Sequence, residues 1–313
     1  MKYLEFCNSV KEQLADMAGD SCKVYLEEVV KNNHIVRQAV VIMEKDRKIS
    51  PTIYLEKFYS DFMAGRNLME ICLEIMVVHE KYRDDISFNP DTYTDYAEMR
   101  KMLYVKVINA EKNRELLESV PWRKCYDLAM TVYILLKEDN GAMATINVSN
   151  KNLLMWNIDS ERLFSDAIDN TNKNMRPRLE RLGDIMKEIL KEKFEQCADE
   201  QGADEELDEA LRIIDSTRDN QMYVLTNQWK SNGAVYIGLQ DILMMVAEKI
   251  EDDIYILPSS VHELLIVPKK YVVSKSQLEK MVREINESEV DPGEVLSDTV
   301  YEYCRGKGIL WKK

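Results

Sequence analysis

Residues 125–150 read CYDLAMTVYILLKEDNGAMATINVSN and contain the strongest local folding signal in the chain. Two runs of mainly apolar and β-branched residues flank Asp139, Asn140 and Gly141. An Asn-Gly pair between such runs is typical of a β-hairpin turn, because both positions tolerate left-handed backbone. The segment therefore predicts a strand, a tight turn and a second strand.

Similar hairpins are predicted on both sides of this segment. Residues 22–46 offer two β-branched runs around Asn32 and Asn33, and residues 223–238 offer two runs around Asn232 and Gly233. Apolar residues at spacings of three and four predict amphipathic helices between these hairpins. Hairpins mixed with helices favour an α+β fold with antiparallel sheets over a doubly wound parallel sheet. The predicted helices include residues 2–18, 51–65, 239–250 and 274–286.

The order of hairpin and then helix recurs near residues 22–65, 125–170 and 223–249. A remote internal duplication would explain this order, although the residues match too little to establish one. The polar segment RDDISFNPDTYTDYAEM, at residues 83–99, is typical of a linker. We therefore expect an N-terminal helix-hairpin-helix unit at residues 1–95 and an α+β domain at residues 96–313.

An acidic insertion is predicted within the second unit, as a helical stretch over residues 178–214. Its middle, EQCADEQGADEELDEAL at residues 195–211, holds eight acidic residues and no basic one. Such a run is usually a solvated face, and the alternative is a contact surface for a basic protein partner. The candidate partner-binding residues are Asp204, Glu205, Glu206, Asp208 and Glu209.

The formal net charge of −14 argues against direct nucleic-acid binding, which depends on Lys and Arg displacing counterions. It also disfavours an anionic membrane surface, and no apolar run approaches the roughly 20 residues that span a bilayer. The six cysteines are scattered without a CxxC pair. We expect a cytoplasmic chain with free thiols that does not associate with membranes.

Motifs for metals and nucleotides are absent from the sequence. His79 and His262 are each followed by Glu, but Arg83 and Ile266 stand where a zinc protease helix needs its second His. There is no GxxxxGK[ST], no GxGxxG after a strand and no GxSxG. The sequence therefore predicts no metal site and no cofactor.

The segment LPSSVHE, at residues 257–263, gathers the most reactive side chains. On a regular strand Ser260 and His262 would share one face, while Glu263 would point to the other. Three readings stay open: a structural turn with a buried His, a rim that binds a ligand or partner, and a nucleophile-base pair. The candidate catalytic residues are therefore Ser260, His262 and Glu263.

Polar groups at predicted element ends provide candidate ligand-binding residues. They occur in DNTNKN (169–174), in YVLTN (223–227) and in the turn before His262. Helix capping and turn formation are the alternative roles for such side chains. The candidates are Asn170, Thr171, Thr226, Asn227 and Ser259.

Several segments together resemble a bacterial family known only as a domain of unknown function. They are SPTIYLEKFY (50–59), INAEKNRELLESVP (108–121), MYVLTN (222–227), LPSSVHELLIVP (257–268) and VLSDTVYEY (295–303). The resemblance implies a soluble bacterial protein, common in gut anaerobes and sometimes carried on mobile elements. It implies no activity, cofactor or catalytic residue.

Acidity and the lack of a catalytic motif favour a non-enzymatic module that binds a protein or a ligand. The alternatives are a hydrolase or transferase that uses Ser260, His262 and a carboxylate, and a structural homo-oligomer. The sequence leaves the oligomeric state open.

Overall fold

The structure is a computed structural model that describes residues 1–45, 47, 50–83, 90–139, 142–196, 203–216, 221–272 and 274–310. Helices and antiparallel sheets are mixed along these ranges, which confirms the predicted α+β class. Within the same ranges, no helix is both long and apolar enough to cross a membrane.

The N-terminal region forms a three-stranded sheet in the order β1-β2-β3 with helices packed on it. Its elements are α1 (Tyr3–Ala18), β1 (Cys22–Val30), β2 (Val36–Glu44), β3 (Thr52–Tyr54), α2 (Glu56–Met63) and α3 (Leu68–Arg83). The hairpin predicted around Asn32 and Asn33 is confirmed, with β1 and β2 paired from Cys22↔Glu44 to Val30↔Val36. Apolar side chains from these elements form their own core, which includes Phe6 and Ile75.

The helix predicted over residues 51–65 is wrong at its start. Thr52–Tyr54 is a strand that pairs with β2, and the helix begins at Glu56. Thr, Ile and Tyr favour strands, and the free edge of β2 gives their backbone groups hydrogen-bond partners. Periodicity alone missed this short edge strand.

A four-stranded sheet follows, with a long central strand. Its region contains α4 (Tyr96–Met99), β4 (Leu103–Asn109), α5 (Arg114–Ser119), β5 (Trp122–Cys125), β6 (Leu128–Asp139), β7 (Ala142–Asn147), α6 (Asn150–Trp156) and α7 (Ser160–Asn174). β4 pairs with one edge of β6, while β5 and β7 share the other edge. The two strands predicted in residues 125–150 are confirmed as β6 and β7, and the turn residues Asn140 and Gly141 lie outside the described ranges.

A six-stranded sheet occupies the last part of the chain. It is built from β8 (Pro177–Arg181), α8 (Leu182–Gln196), α9 (Ala203–Ser216), β9 (Tyr223–Asn227), α10 (Gln240–Ile250), β10 (Ile254–Leu257), β11 (Leu264–Pro268), α11 (Lys275–Ser288), β12 (Tyr301–Cys304) and β13 (Gly308–Leu310). The strand order is β13-β12-β10-β11-β9-β8. Both larger sheets, α7 and α10 contribute to one core, which includes Tyr133 and Tyr236.

Two sequence predictions for this region are corrected. The helical insertion predicted from residue 178 begins at Leu182, because residues 178–181 belong to β8 and pair with β9. The hairpin predicted over residues 223–238 does not form, because Gly233–Gly238 is a buried 3-10 helix and β9 pairs with β8 and β11. The pattern that suggested an internal duplication therefore lacks the third of its three hairpins. The division near residue 95 stays a prediction.

Candidate functional site

A cleft of about 940 Å³ lies between the tip of the β1-β2 hairpin and the four-stranded sheet. Residues 29–34 and Tyr54 form one side. Strands β4 and β7 and the start of α5 form the opposite side, and His262 stands at one end with Ser231 and Asn232. This volume lies within the range of small-molecule binding sites.

The hairpin tip adopts an unusual backbone conformation at Asn33 and His34. Asn33 and His34 have φ angles of 59° and 58°, in the left-handed region. Asn reaches this region more readily than most residues, while His34 carries some strain there. Such strain persists only where surrounding contacts hold it, and it is frequent at functional sites.

Those contacts come from a loop more than 250 residues further along the chain. Asn33 Nδ2 donates to the carbonyl oxygens of Pro292 (2.8 Å) and Val295 (2.7 Å). Asn33 Oδ1 accepts from Asn113 Nδ2 at 3.0 Å, and Arg37 forms an ion pair with Asp291 at 2.7 Å. The hairpin is therefore held both by residues 291–295 and by Asn113.

The cleft has a surplus of positive charge. Among the described residues that line it, the carboxylates are Glu111, which lies 3.1 Å from Arg114, and Glu115, which lies 3.5 Å from the His34 imidazole. Three further cations line the cleft: Lys31, Lys106 and Lys112. In the part of the chain that the structure describes, none of these three ammoniums has a carboxylate at ion-pair distance. An anion would find complementary charge here, although the whole chain is acidic.

Lys106 occupies the middle of β4, between the buried residues Val105 and Val107. Its Nζ donates to Asn147 Oδ1 at 2.9 Å and lies 5.7 Å from the centre of the Tyr133 ring. Burial lowers the pKa of the Lys106 ammonium to about 8, and repulsion from Lys31 adds to the shift. Low-pKa lysines in clefts are typical of functional sites.

Two buried hydroxyl groups share the sheet face of Lys106. Thr131 is its cross-strand partner, and Tyr133 lies two residues further along β6. Within the described ranges, Thr131 Oγ1 has no hydrogen-bond partner, whereas the buried Tyr133 hydroxyl interacts with the Asn232 side chain. Unpaired buried hydroxyls are rare because each costs about 1–3 kcal/mol.

The LPSSVHE segment forms a buried bend between β10 and β11. Ser260 Oγ accepts a hydrogen bond from the backbone N–H of His262 at 3.0 Å. The imidazole turns away from this hydroxyl: His262 Nδ1 accepts from the Asn232 N–H at 3.4 Å, and Nε2 lies 3.3 Å from Glu294. The geometry gives a Ser260–His262 nucleophile-base pair no support, so that pair stays a prediction.

Glu263 lies beside the same bend. Burial raises the pKa of its carboxyl, and the charge of Glu294 adds to this, while His262 and the hydroxyl of Ser260 oppose it. The imidazole thus contacts Glu294 rather than the predicted Glu263. Gly233 packs so closely here that an added Cβ would lie 2.5 Å from the His262 carbonyl oxygen. The bend and the buried 3-10 helix support each other.

The sequence matches the profile of a known family over most of its length. The profile of a family of unknown function, DUF5688, matches residues 3–305. The chain belongs to the DUF5688 family. No curated protein and no solved structure matches it. Membership in DUF5688 covers both the hairpin tip and the LPSSVHE bend, but it supplies no activity.

The predicted ligand-binding residues of this DUF5688 chain hold the fold together. Asn170 Nδ2 donates to the carbonyl oxygens of Arg100 and Leu103, and Thr171 Oγ1 donates to Ala167 O and accepts from the Val105 N–H. Their use by a ligand stays a prediction.

The candidates on β9 and in the bend have similar contacts. Thr226 Oγ1 donates to the His262 carbonyl, and Asn227 bonds to Ser231 O and to the Trp229 N–H. Ser259 is buried, and its carbonyl accepts from the Leu296 N–H. A ligand-binding role for Thr226, Asn227 and Ser259 also stays a prediction.

The acidic candidates lie on α9. Asp208 and Glu209 are exposed, while the side chains of Asp204, Glu205 and Glu206 lie outside the described part of the chain. No group of three His, Cys, Asp or Glu side chains in the described ranges is arranged to hold a metal ion.

Sequence reasoning missed the cations of the cleft. The available signal was a lysine inside an apolar strand, in LYVKVIN at residues 103–109. No local signal could place Lys31 and Lys112 beside it, because they come from different elements.

Proposed function

We propose that this protein is a binding module that holds a small anionic ligand in the cleft beside the β1-β2 hairpin. The observation that carries the proposal is the group of three ammoniums, Lys31, Lys106 and Lys112, without carboxylate partners. Phosphate and carboxylate groups carry the negative charge that would pair with these ammoniums. Nucleic acid fits the chain poorly because its net charge is −14.

The cleft also offers neutral hydrogen-bonding groups. Asn32 lines it with an Oδ1 atom that is buried and has no partner among the described residues. Asn147 and Thr145 line the floor on β7. A few placed polar groups beside charged ones are typical of sites that orient a small ligand.

Isothermal titration calorimetry with inorganic pyrophosphate and with citrate tests the proposal for phosphate and carboxylate groups separately. We expect at least one probe to bind, and the double change Lys31→Gln/Lys112→Gln to weaken it at least about tenfold, or about 1.4 kcal/mol. The matched control is Lys275→Gln/Lys280→Gln on α11, which changes the net charge equally outside the cleft.

Equal losses in the two double variants would show that only the overall charge matters and would overturn the cleft as the site. Absence of binding by both probes to the folded wild type would overturn the proposal itself. A basic protein partner at α9 and a hydrolase or transferase at LPSSVHE stay as alternatives.

A further inference from the structure

Lys106 differs from the other two unpaired cations of the cleft by its position. Lys31 belongs to the hairpin tip and stacks over the Tyr54 ring at 4.1 Å, and Lys112 belongs to the loop before α5. Lys106 rises from a central position of β4, where both neighbours in the chain are buried. A rigid strand therefore presents its amine at a defined point of the floor.

The surroundings of Lys106 do not match those of a structural lysine. Lys106 is half-buried, and an ammonium removed from bulk water is normally paired with a carboxylate. Lys106 Nζ instead has a neutral amide acceptor, Asn147 Oδ1, and a tyrosine ring 5.7 Å away. Thr131 adds an unpaired hydroxyl on the same sheet face, and Tyr133 adds a buried hydroxyl beside Asn232. These polar neighbours carry no negative charge. Such surroundings are more typical of a reactive amine than of an amine that stabilises the fold.

We propose that Lys106 forms a reversible imine with an aldehyde or ketone that also carries a phosphate or carboxylate group. This inference rests on the proposed function, because Lys31 and Lys112 would hold the anionic group while the carbonyl faces the Lys106 amine. The ligand class is thereby narrowed from small anions to anionic carbonyl compounds.

The chemistry is balanced without any oxidant or reductant. The neutral amine attacks the carbonyl carbon, a C–N bond forms, and a proton passes from nitrogen to the former carbonyl oxygen. The resulting hydroxyl takes up a second proton and leaves as water while the nitrogen lone pair forms the C=N bond. Loss of the remaining N–H proton returns the proton that was consumed, and hydrolysis reverses the sequence.

The protonation state of Lys106 supports this step. With its pKa lowered to about 8, about one amine in ten is neutral at pH 7. An ordinary lysine near 10.4 has a neutral fraction several hundred times smaller. Only the neutral amine can attack a carbonyl carbon.

Trapping with sodium borohydride tests the inference, with glyoxylate as the carboxylate probe and pyridoxal 5′-phosphate as the phosphate probe. Peptide mass spectrometry then locates the reduced adduct. We expect Lys106 to be labelled at least about tenfold faster than the exposed Lys280 at pH 7, and pyrophosphate or citrate to protect it. Lys106→Arg keeps a cation at this position but removes the amine, so it should lose this adduct.

The outcomes separate the two proposals. Labelling spread evenly over surface lysines, or directed to Lys31 instead of Lys106, would overturn imine formation. If calorimetry still shows binding that depends on Lys31 and Lys112, the binding function stands and the imine alone fails. If neither binding nor selective labelling occurs, both fail. The peptide map of the labelled wild-type protein tests imine formation at Lys106 even if Lys106→Arg does not fold.

Discussion

Thr131 and Thr171 are buried threonines whose hydroxyls have opposite surroundings. Thr171 Oγ1 donates to Ala167 O at 2.8 Å and accepts from the Val105 N–H at 3.1 Å, whereas Thr131 Oγ1 has no partner in the described ranges. Valine has nearly the same shape as threonine, so the same substitution probes both environments.

We expect Thr131→Val to raise the free energy of unfolding by about 1 kcal/mol, because it removes an unsatisfied polar group. Thr171→Val should lower it by about 1–3 kcal/mol, because the Val105 N–H loses its acceptor. Urea unfolding of both variants at pH 7 measures the difference. Destabilisation of the two variants by equal amounts would mean that the Thr131 hydroxyl is satisfied in solution.

His79 provides a second residue-scale prediction, which concerns pH. It is buried on α3, with Nε2 3.7 Å from Glu44 and no partner for Nδ1 among the described residues. Burial lowers the pKa of the His79 imidazole below 6.5, although Glu44 opposes the shift. As the pH falls below 6.5, the unfolded chain takes up this proton first, so the free energy of unfolding decreases.

The stability that His79 contributes is therefore fully present above pH 6.5 and is lost as the pH falls toward its folded pKa. Urea unfolding at pH 7, 6 and 5 should show a shallower decrease for His79→Leu than for the wild type. A variant with an unchanged slope would assign the proton uptake to other groups.

Single residues also show what sequence reading can detect. Asn33 was predicted as a turn residue, because its tolerance of left-handed backbone is a local property. The sequence shows Lys106 as a charged residue among the apolar residues of LYVKVIN. Its pKa, however, depends on burial and on Lys31, which lies 75 positions earlier by residue number. A single sequence shows the chemical type of each residue and its local backbone preference. It does not show which distant residues lie beside that residue and change its pKa.

At the scale of elements, the hairpin tip is held by side chains rather than by a sheet. Asn33→Gly keeps the left-handed backbone but removes the bonds to Pro292, Val295 and Asn113. We expect a loss of about 2–3 kcal/mol. Amide exchange in residues 291–297 should also become faster, which hydrogen-exchange mass spectrometry can measure.

Asn157→Gly is the matched control. Asn157 is also left-handed, with φ of 52°, and it ends α6 through backbone hydrogen bonds. Its replacement should change stability by less than about 0.5 kcal/mol. Similar losses in the two variants would show that backbone flexibility, and not the three side-chain bonds, determines the result.

The elements that sequence reading predicted well are those with local pairing. Strands β1 and β2, and β6 and β7, are consecutive, and each pair is separated by only a few residues that include Asn. By contrast, β9 pairs with β8 across two helices and with β11 across α10, so the local Asn232-Gly233 turn signal indicated a hairpin that does not form. Strand pairing between distant segments has no local signature.

At the scale of the whole molecule, α8 and α9 form an excursion between two adjacent strands. β8 and β9 are paired up to Arg181↔Tyr223, and the Leu182 N–H donates to Met222 O at 2.9 Å. A two-residue turn can therefore join these strand ends. We expect a chain in which Asn-Gly replaces residues 183–221 to unfold cooperatively, as followed by circular dichroism.

That shortened chain should also bind pyrophosphate or citrate as the wild type does, because the described residues among those replaced do not line the cleft. Loss of a cooperative transition would show that the packing of α8 and α9, which includes the buried Ile214, is required for the fold.

The long separation between the hairpin tip and its loop has a consequence for synthesis on the ribosome. The core of residues 3–78 draws on its own segment, so it can form while later residues are still being translated. Asn32 and Asn33 must wait for Gly293, Pro292 and Val295, 259 to 262 positions later. The contacts that hold the hairpin tip are thus among the last to form, and a nascent chain that stops before residue 291 would carry the N-terminal core without them.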